Sequence, residues 1–339
     1  MKFYKLNIII AVAFILSSLT GCFEEDNKIP PHTPGDELTY SFTKSIYENQ
    51  SFFKLSINDI LAENENPVWL LRFASQADDW HIGINSSNFF GVYNSGTTDI
   101  GSVSDNPPVQ EWVFDKSSGE PDSTAFAAWV KFVNADTIYS NSIYLLGRYD
   151  GIGYSAGWAT QFLSVTESAY KFRIMDWPDG SWKEYEVKKD PGYNYQYFTT
   201  SEGGGILQIE PDRDSWDLLF TQYGSILYTD EGIPTPYYVR GVLLNPNTVE
   251  TALDSINSFE SITFNNLSEY SFSRRSDFIG YDWKDVEIDE NSNTAVYTVN
   301  SDKIYIIRDT EGFYYKFRFI SYYNDLGEKG FPVFEHKRL

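Results

Sequence analysis

Residues 303–323, KIYIIRDTEGFYYKFRFISYY, decide the fold class. Two runs of β-branched and aromatic residues flank Asp309, Thr310, Glu311 and Gly312. Glycine at the end of such a link takes the positive φ that closes a hairpin turn. In the second run Phe313, Tyr315, Phe317 and Phe319 alternate with Tyr314, Lys316, Arg318 and Ile320, the period-two pattern of a strand with one buried face. A diluted copy of this text stands earlier, SIYLLGRYDG at 142–151 and AYKFRIMDW at 169–177. The chain therefore reads as all-β, with two tandem antiparallel units at 40–190 and 191–339 joined near 188–193.

Bulk composition agrees with that reading. A length of 339 residues suggests about two domains. Hydrophobic content of 42% and aromatic content of 17% suffice for a core built of strands. With 26 basic against 48 acidic residues the net charge is −22. Such a field repels phosphate backbones and argues against nucleic acid as a partner. Its plain reading is solubility outside the cell.

Expected strands of the first unit lie at 52–56, 68–73, 80–85, 89–93, 143–146, 159–165, 170–176 and 182–187, with polar loops at 62–66 and 94–98. Residues 125–133, AFAAWVKFV, fit a buried strand or a short helical turn equally well. In the second unit strands are expected at 197–201, 206–210, 215–223, 226–229, 237–244, 278–284 and 331–335. No serine, histidine and aspartate set with a surrounding motif is present. Gly203, Gly204 and Gly205 lack the lysine and following helix of a phosphate loop. The expectation is a binding protein and not an enzyme.

Two residues of the first unit could reach iron. His81 offers an imidazole and Met175 a thioether; their plain readings are a structural histidine and a core filler.

At the N-terminus Lys2 and Lys5 precede an apolar run at 8–16, too short to span a bilayer and suited to a signal peptide over 1–21. Leu19, Thr20, Gly21 and Cys22 resemble the bacterial lipobox, which implies cleavage before Cys22 and its lipidation. Cys22 is the only cysteine, so no internal disulfide is available to it. The alternative is a plain secretory leader with an incidental cysteine. Phe23, Glu24, Glu25 and Asp26 resemble the acidic signal that sends lipoproteins of the Bacteroidetes to the cell surface. Residues 22–39 read as an acidic, proline-bearing tether, with His32 as a solvated linker residue.

SWDLLFTQY at 215–223, FIGYDWK at 278–284 and the text from 303 to 335 together resemble the HmuY family of surface lipoproteins. The resemblance covers 197–339 directly and 40–189 through the internal copy. It implies an antiparallel all-β fold, haem as ligand, anchorage to the outer membrane through the lipid, and delivery of haem to a TonB-dependent outer-membrane receptor. Members that hold iron through two histidines carry them between the WD strand and the final hairpin. Here 237–301 contains neither histidine nor methionine, and His336 lies beyond the hairpin. Tyrosine can ligate ferric haem, which makes Tyr237 and Tyr281 candidates beside Tyr238 and Tyr270. Arg274 and Arg275 could pair with propionates, although neighbours on a strand point to opposite faces. The candidate ligand-binding set is therefore His81, Met175, Tyr237, Tyr281 and Arg274. The rival reading is a structural, adhesion or carbohydrate-binding surface lipoprotein, with Trp158, Trp177 and Trp182 stacking on sugars.

Overall fold

The structure, a computed structural model, describes residues 34–339 apart from 67, 135, 229–231, 233 and 290–293. The signal peptide, Cys22 and most of the tether lie outside the described residues. Gly35–Leu339 forms one compact unit, and it is all-β as the sequence predicts, with only short 3-10 turns besides strands.

Four sheets make the body. The first orders Glu37–Ser41, Lys329–Arg338, Tyr314–Tyr323, Ile304–Arg308 and Glu250–Asp254. The second orders Pro234–Leu244, Leu218–Tyr228, Asn49–Lys54 and Asp59–Glu65. The third orders Gly205–Leu207, Tyr195–Thr199, Leu71–Ala74 and Ile82–Ile84. The fourth orders Lys183–Lys188, Ala169–Asp176, Tyr154–Val165, Tyr144–Tyr149, Phe90–Asn94 and Trp112–Val113. All their pairings are antiparallel.

The C-terminal hairpin behaves largely as its period-two text requires. Tyr305 faces Phe317 and Ile307 faces Tyr315 across the ladder. Tyr315, Phe317 and Phe319 are buried in a core shared with Phe53, Phe220, Trp283 and Phe334. Gly312 at φ +88° donates its N–H to the Asp309 carbonyl at 3.1 Å and closes the turn. The opposite face departs from expectation, because Lys316 is buried. Its ammonium donates to the carbonyls of Phe259 and Ile262, and a satellite core of Ala252, Phe259, Ile262, Ile304, Ile306 and Leu339 covers that side of the sheet.

The earlier copy of this text does not form a hairpin. Tyr144–Tyr149 and Ala169–Asp176 both pair with Tyr154–Val165, which stands between them. The sheets are also not partitioned at residue 190. Glu37–Ser41 pairs with Lys329–Arg338, and Asn49–Lys54 pairs with Leu218–Tyr228. One core thus gathers residues from 40–60 and 218–334, while a second, with Phe73, Phe162 and Phe172, gathers residues from 70 to 198. The middle segment leaves and re-enters at one place, since Asn64 Nδ2 donates to the Ile209 carbonyl at 2.9 Å.

Three local expectations change. Residues 37–39 belong to a strand and not to the tether, because the last strand of the chain supplies their hydrogen-bond partners. Residues 62–65 are strand and not loop, paired with 49–52 despite their polar composition. FIGYDWK turns instead of extending, with Gly280 bridged to Val242 and the strand Lys284–Asp289 starting only at its end. The ambiguous 125–133 resolves into turns followed by the strand Val130–Val133.

Between the second and third sheets runs a polar seam. Thr221 Oγ1 bonds Asn66 Oδ1, Gln222 Nε2 donates to the Ser87 carbonyl, and Asn194 Nδ2 donates to Asn245 Oδ1. Buried polar groups need such partners, so the seam is cross-linked by hydrogen bonds where the two cores are greasy.

Candidate functional site

An open cleft of about 670 Å³ lies at one end of this seam, within the size range of ligand pockets. Its first wall is Phe89. Asn85 caps the 3-10 turn Ser86–Asn88 by accepting the Ser87 N–H. Phe89 then takes φ +55° just before Phe90–Asn94. From the other half of the chain Tyr238, on Pro234–Leu244, stacks on Phe89 at 21° between ring planes.

Behind them the aromatic surface continues. Tyr149 meets Phe89 edge-on at 6.3 Å and Tyr154 at 5.2 Å, and Tyr154 lies flat on Trp112 at 4.7 Å. The link between Tyr149 and Tyr154 is a turn in which Asp150 Oδ1 accepts the N–H groups of Ile152 and Gly153. Those bonds hold the Asp150 carboxyl below the usual aspartate range. Arg148 and Ser155 complete the rim, and Arg148 has no carboxylate partner among the described residues.

This arrangement can stack a planar aromatic ligand and pair one of its carboxylates with Arg148. Its oxygens are poor iron ligands as they stand. Burial raises the Tyr238 hydroxyl above the ordinary tyrosine value, with Arg148 pulling the other way, and a phenolate is what iron would need. No group of three or more acidic, histidine or cysteine side chains suited to a metal ion occurs among the described residues.

The residues singled out from the sequence fall in several places. His81 precedes Ile82–Ile84 and pairs through Nδ1 with Asp79; burial would raise the Asp79 carboxyl, but the bonds from His81 outweigh it and hold it low. Met175 is buried among Val103, Ile143, Leu145 and Ala159, the packing role. Tyr237 is 49% exposed beside the cleft, lining a side recess with Phe89 and Tyr154. Its cross-strand partner Ser225 also bonds Tyr281, whose hydroxyl burial raises. Arg274 reaches Glu250 at 3.6 Å while Arg275 pairs with Asp277, so the two diverge and make no joint clamp.

Tyr270 donates to Asp254 Oδ2 at 2.6 Å. The tryptophans proposed for sugar stacking serve packing: Trp158 against Phe90, Trp177 beside Met175, and Trp182 under Arg173 at 4.5 Å. His336 is 1% exposed and its Nε2 meets Asn58 Oδ1 at 2.9 Å. Phe89, Arg148, Tyr149 and Tyr154 were not singled out from the sequence; the one local signal was a turn flanked by tyrosines, YDGIGY at 149–154. Cys22 and His32 lie outside the described residues, among which no helix is long and apolar enough to cross a membrane.

A family model described as HmuY protein matches residues 46–336. A search of curated proteins finds no match. Among solved structures, the apo HmuY analogue of Tannerella forsythia aligns at 10% identity and a TM-score of 0.23 over 90% of this chain and 95% of its own. A protein of Bacteroides vulgatus described as HmuY-like and haem-binding aligns at 19% identity and 0.18 over 53% and 91%. One of Bacteroides fragilis described as a lipoprotein aligns at 17% identity and 0.19 over 53% and 88%. At such TM-scores these neighbours carry no argument about the site, and the assignment rests on the family model.

Proposed function

Because the chain belongs to the HmuY family, we propose that it is a binding protein that captures haem or a related planar, carboxylate-bearing tetrapyrrole against the aromatic wall that Phe89 and Tyr238 form together, in the cleft they line with Arg148. The observation that carries this reading is the aromatic wall contributed by both halves of the chain, next to an arginine without a carboxylate partner. Capture by stacking and propionate pairing accounts for a site that lacks imidazole and thioether. Binding then depends little on iron.

The test is a titration of Gly35–Leu339 with haem, in both redox states, and with metal-free protoporphyrin. A Soret shift with both ligands is expected, and Tyr238→Ala weakens both about tenfold. No shift in either redox state, or full binding by Tyr238→Ala, would sink the proposal and leave the structural, adhesion or carbohydrate-binding reading.

The proposal extends to location. Lipidation at Cys22 holds the protein at the outer membrane or cell surface, where the cleft can hand its ligand to a TonB-dependent receptor. Cys22→Ala is expected to abolish fatty-acid labelling and release the protein from the membrane fraction; labelling that persists refutes the anchor.

A further inference from the structure

The polar seam holds a partly open cavity of about 80 Å³, separate from the cleft in all its lining residues. Strand periodicity selects its walls. In Leu218–Tyr228, Leu218 and Phe220 enter the first core, which turns Leu219, Thr221 and Tyr223 toward the cavity. Across from them Leu71 and Phe73 enter the second core, which turns Arg72 the same way.

What faces this space is rich in donors. The Arg72 guanidinium lies over the Tyr195 ring at 4.6 Å with Trp69 at 6.0 Å. Its ionic contact, Nη2 to Asp115 Oδ2, is 3.9 Å, too long for a hydrogen bond. Asp115 is committed elsewhere, accepting the N–H of Ala125 at 2.8 Å and of Ile84 at 2.9 Å. Gly83 permits this crowding, since a Cβ there would collide with Asp115 Oδ2 and Arg72 Nε. Gln50 Nε2 and the Tyr223 hydroxyl have no hydrogen-bond partner, in side chains of residues 5% and 4% exposed. Gln222 Oε1 is the one unpartnered acceptor beside them. Buried donors left unpaired are costly, and two of them, from different strands, line this cavity together with the Arg72 guanidinium.

We propose that this cavity binds a small carboxylate anion, of formate or acetate size, through the Arg72 guanidinium, the Gln50 amide and the Tyr223 hydroxyl. The ligand supplies the acceptors that these donors lack and gives Arg72 a hydrogen-bonded counter-charge. This site stands independently of the tetrapyrrole reading, because it shares no residue with the cleft.

The experiment measures thermal unfolding of Gly35–Leu339 in sodium formate or acetate against sodium chloride at equal ionic strength, with carbon-13 line broadening of labelled formate as a direct readout. A saturable rise in Tm and a broadened formate line are expected. Tyr223→Phe keeps the ring and the fold and weakens binding about tenfold; Arg72→Gln removes it; Tyr238→Ala leaves it unchanged. Absence of a saturable response in the parent protein means that water alone occupies the cavity and overturns the proposal. So does an equal response in the parent and in Tyr223→Phe.

Discussion

His336 shows how burial sets a proton's fate. The ring packs among Phe53, Tyr315 and Phe334, and desolvation pushes its pKa down to about 4. The unfolded chain takes up a proton near 6.5, so between these values the unfolded state holds more protons and stability rises with pH. Its contribution is present above pH 6.5 and is lost as pH falls toward 4. His336→Gln keeps a donor for Asn58 without the titration. Urea midpoints at pH 7.5 and 4.5 are expected to show the parent losing up to about 3 kcal/mol more than the variant on acidification. Equal losses would show that the ring is solvated.

At the scale of elements, the final hairpin carries a charge cluster under its turn. Thr310 N and Oγ1 donate to Asp217 Oδ1, and Lys54 Nζ reaches the same oxygen at 3.2 Å. Asp309 Oδ1 accepts two turn N–H groups while Oδ2 is buried without a partner. Burial first, and the Asp217 charge second, raise Asp309 to about 6. Here the folded state holds the extra proton, so stability falls as pH rises from about 4 through 6. Asp309→Asn is therefore expected to gain on the order of 2 kcal/mol over the parent at pH 8 and nothing at pH 4, read from denaturant midpoints; a loss at pH 8 would mean that the charge is required by Lys54. The hairpin strands were legible because one face is uniformly apolar. Asp59–Glu65 was not, since DILAENE alternates no apolar face, and its place depends on a ladder with Asn49–Lys54. The cleft escaped notice for the same reason. Phe89 and Tyr238 lie 149 positions apart, and only the seam brings them together.

Considered whole, Gly35–Leu339 is one compact unit whose first core is drawn from two separate stretches of the chain and whose second comes from the stretch between them. The middle segment closes on itself at Asn64 and Ile209, and the whole of the second core comes from within it. A chain of residues 66–210 is expected to fold alone, with dispersed amide resonances and a cooperative thermal transition. A chain of residues 35–65 is expected to stay unstructured, because apart from its own ladder of Asn49–Lys54 with Asp59–Glu65 the partners of its strands lie beyond 217. Collapse of 66–210 into a molten state would show that the seam, and not its own core, holds it.

The pairing of Glu37–Ser41 with Lys329–Arg338 reverses the order of assembly relative to the order of synthesis. Glu37–Ser41 leaves the ribosome long before the strand it pairs with, and Gly35 N bonds the Arg338 carbonyl only once that strand has been made. Until then its edge and the faces of Asn49–Lys54 stand open, a state that folds slowly and that invites aggregation in a crowded cytosol.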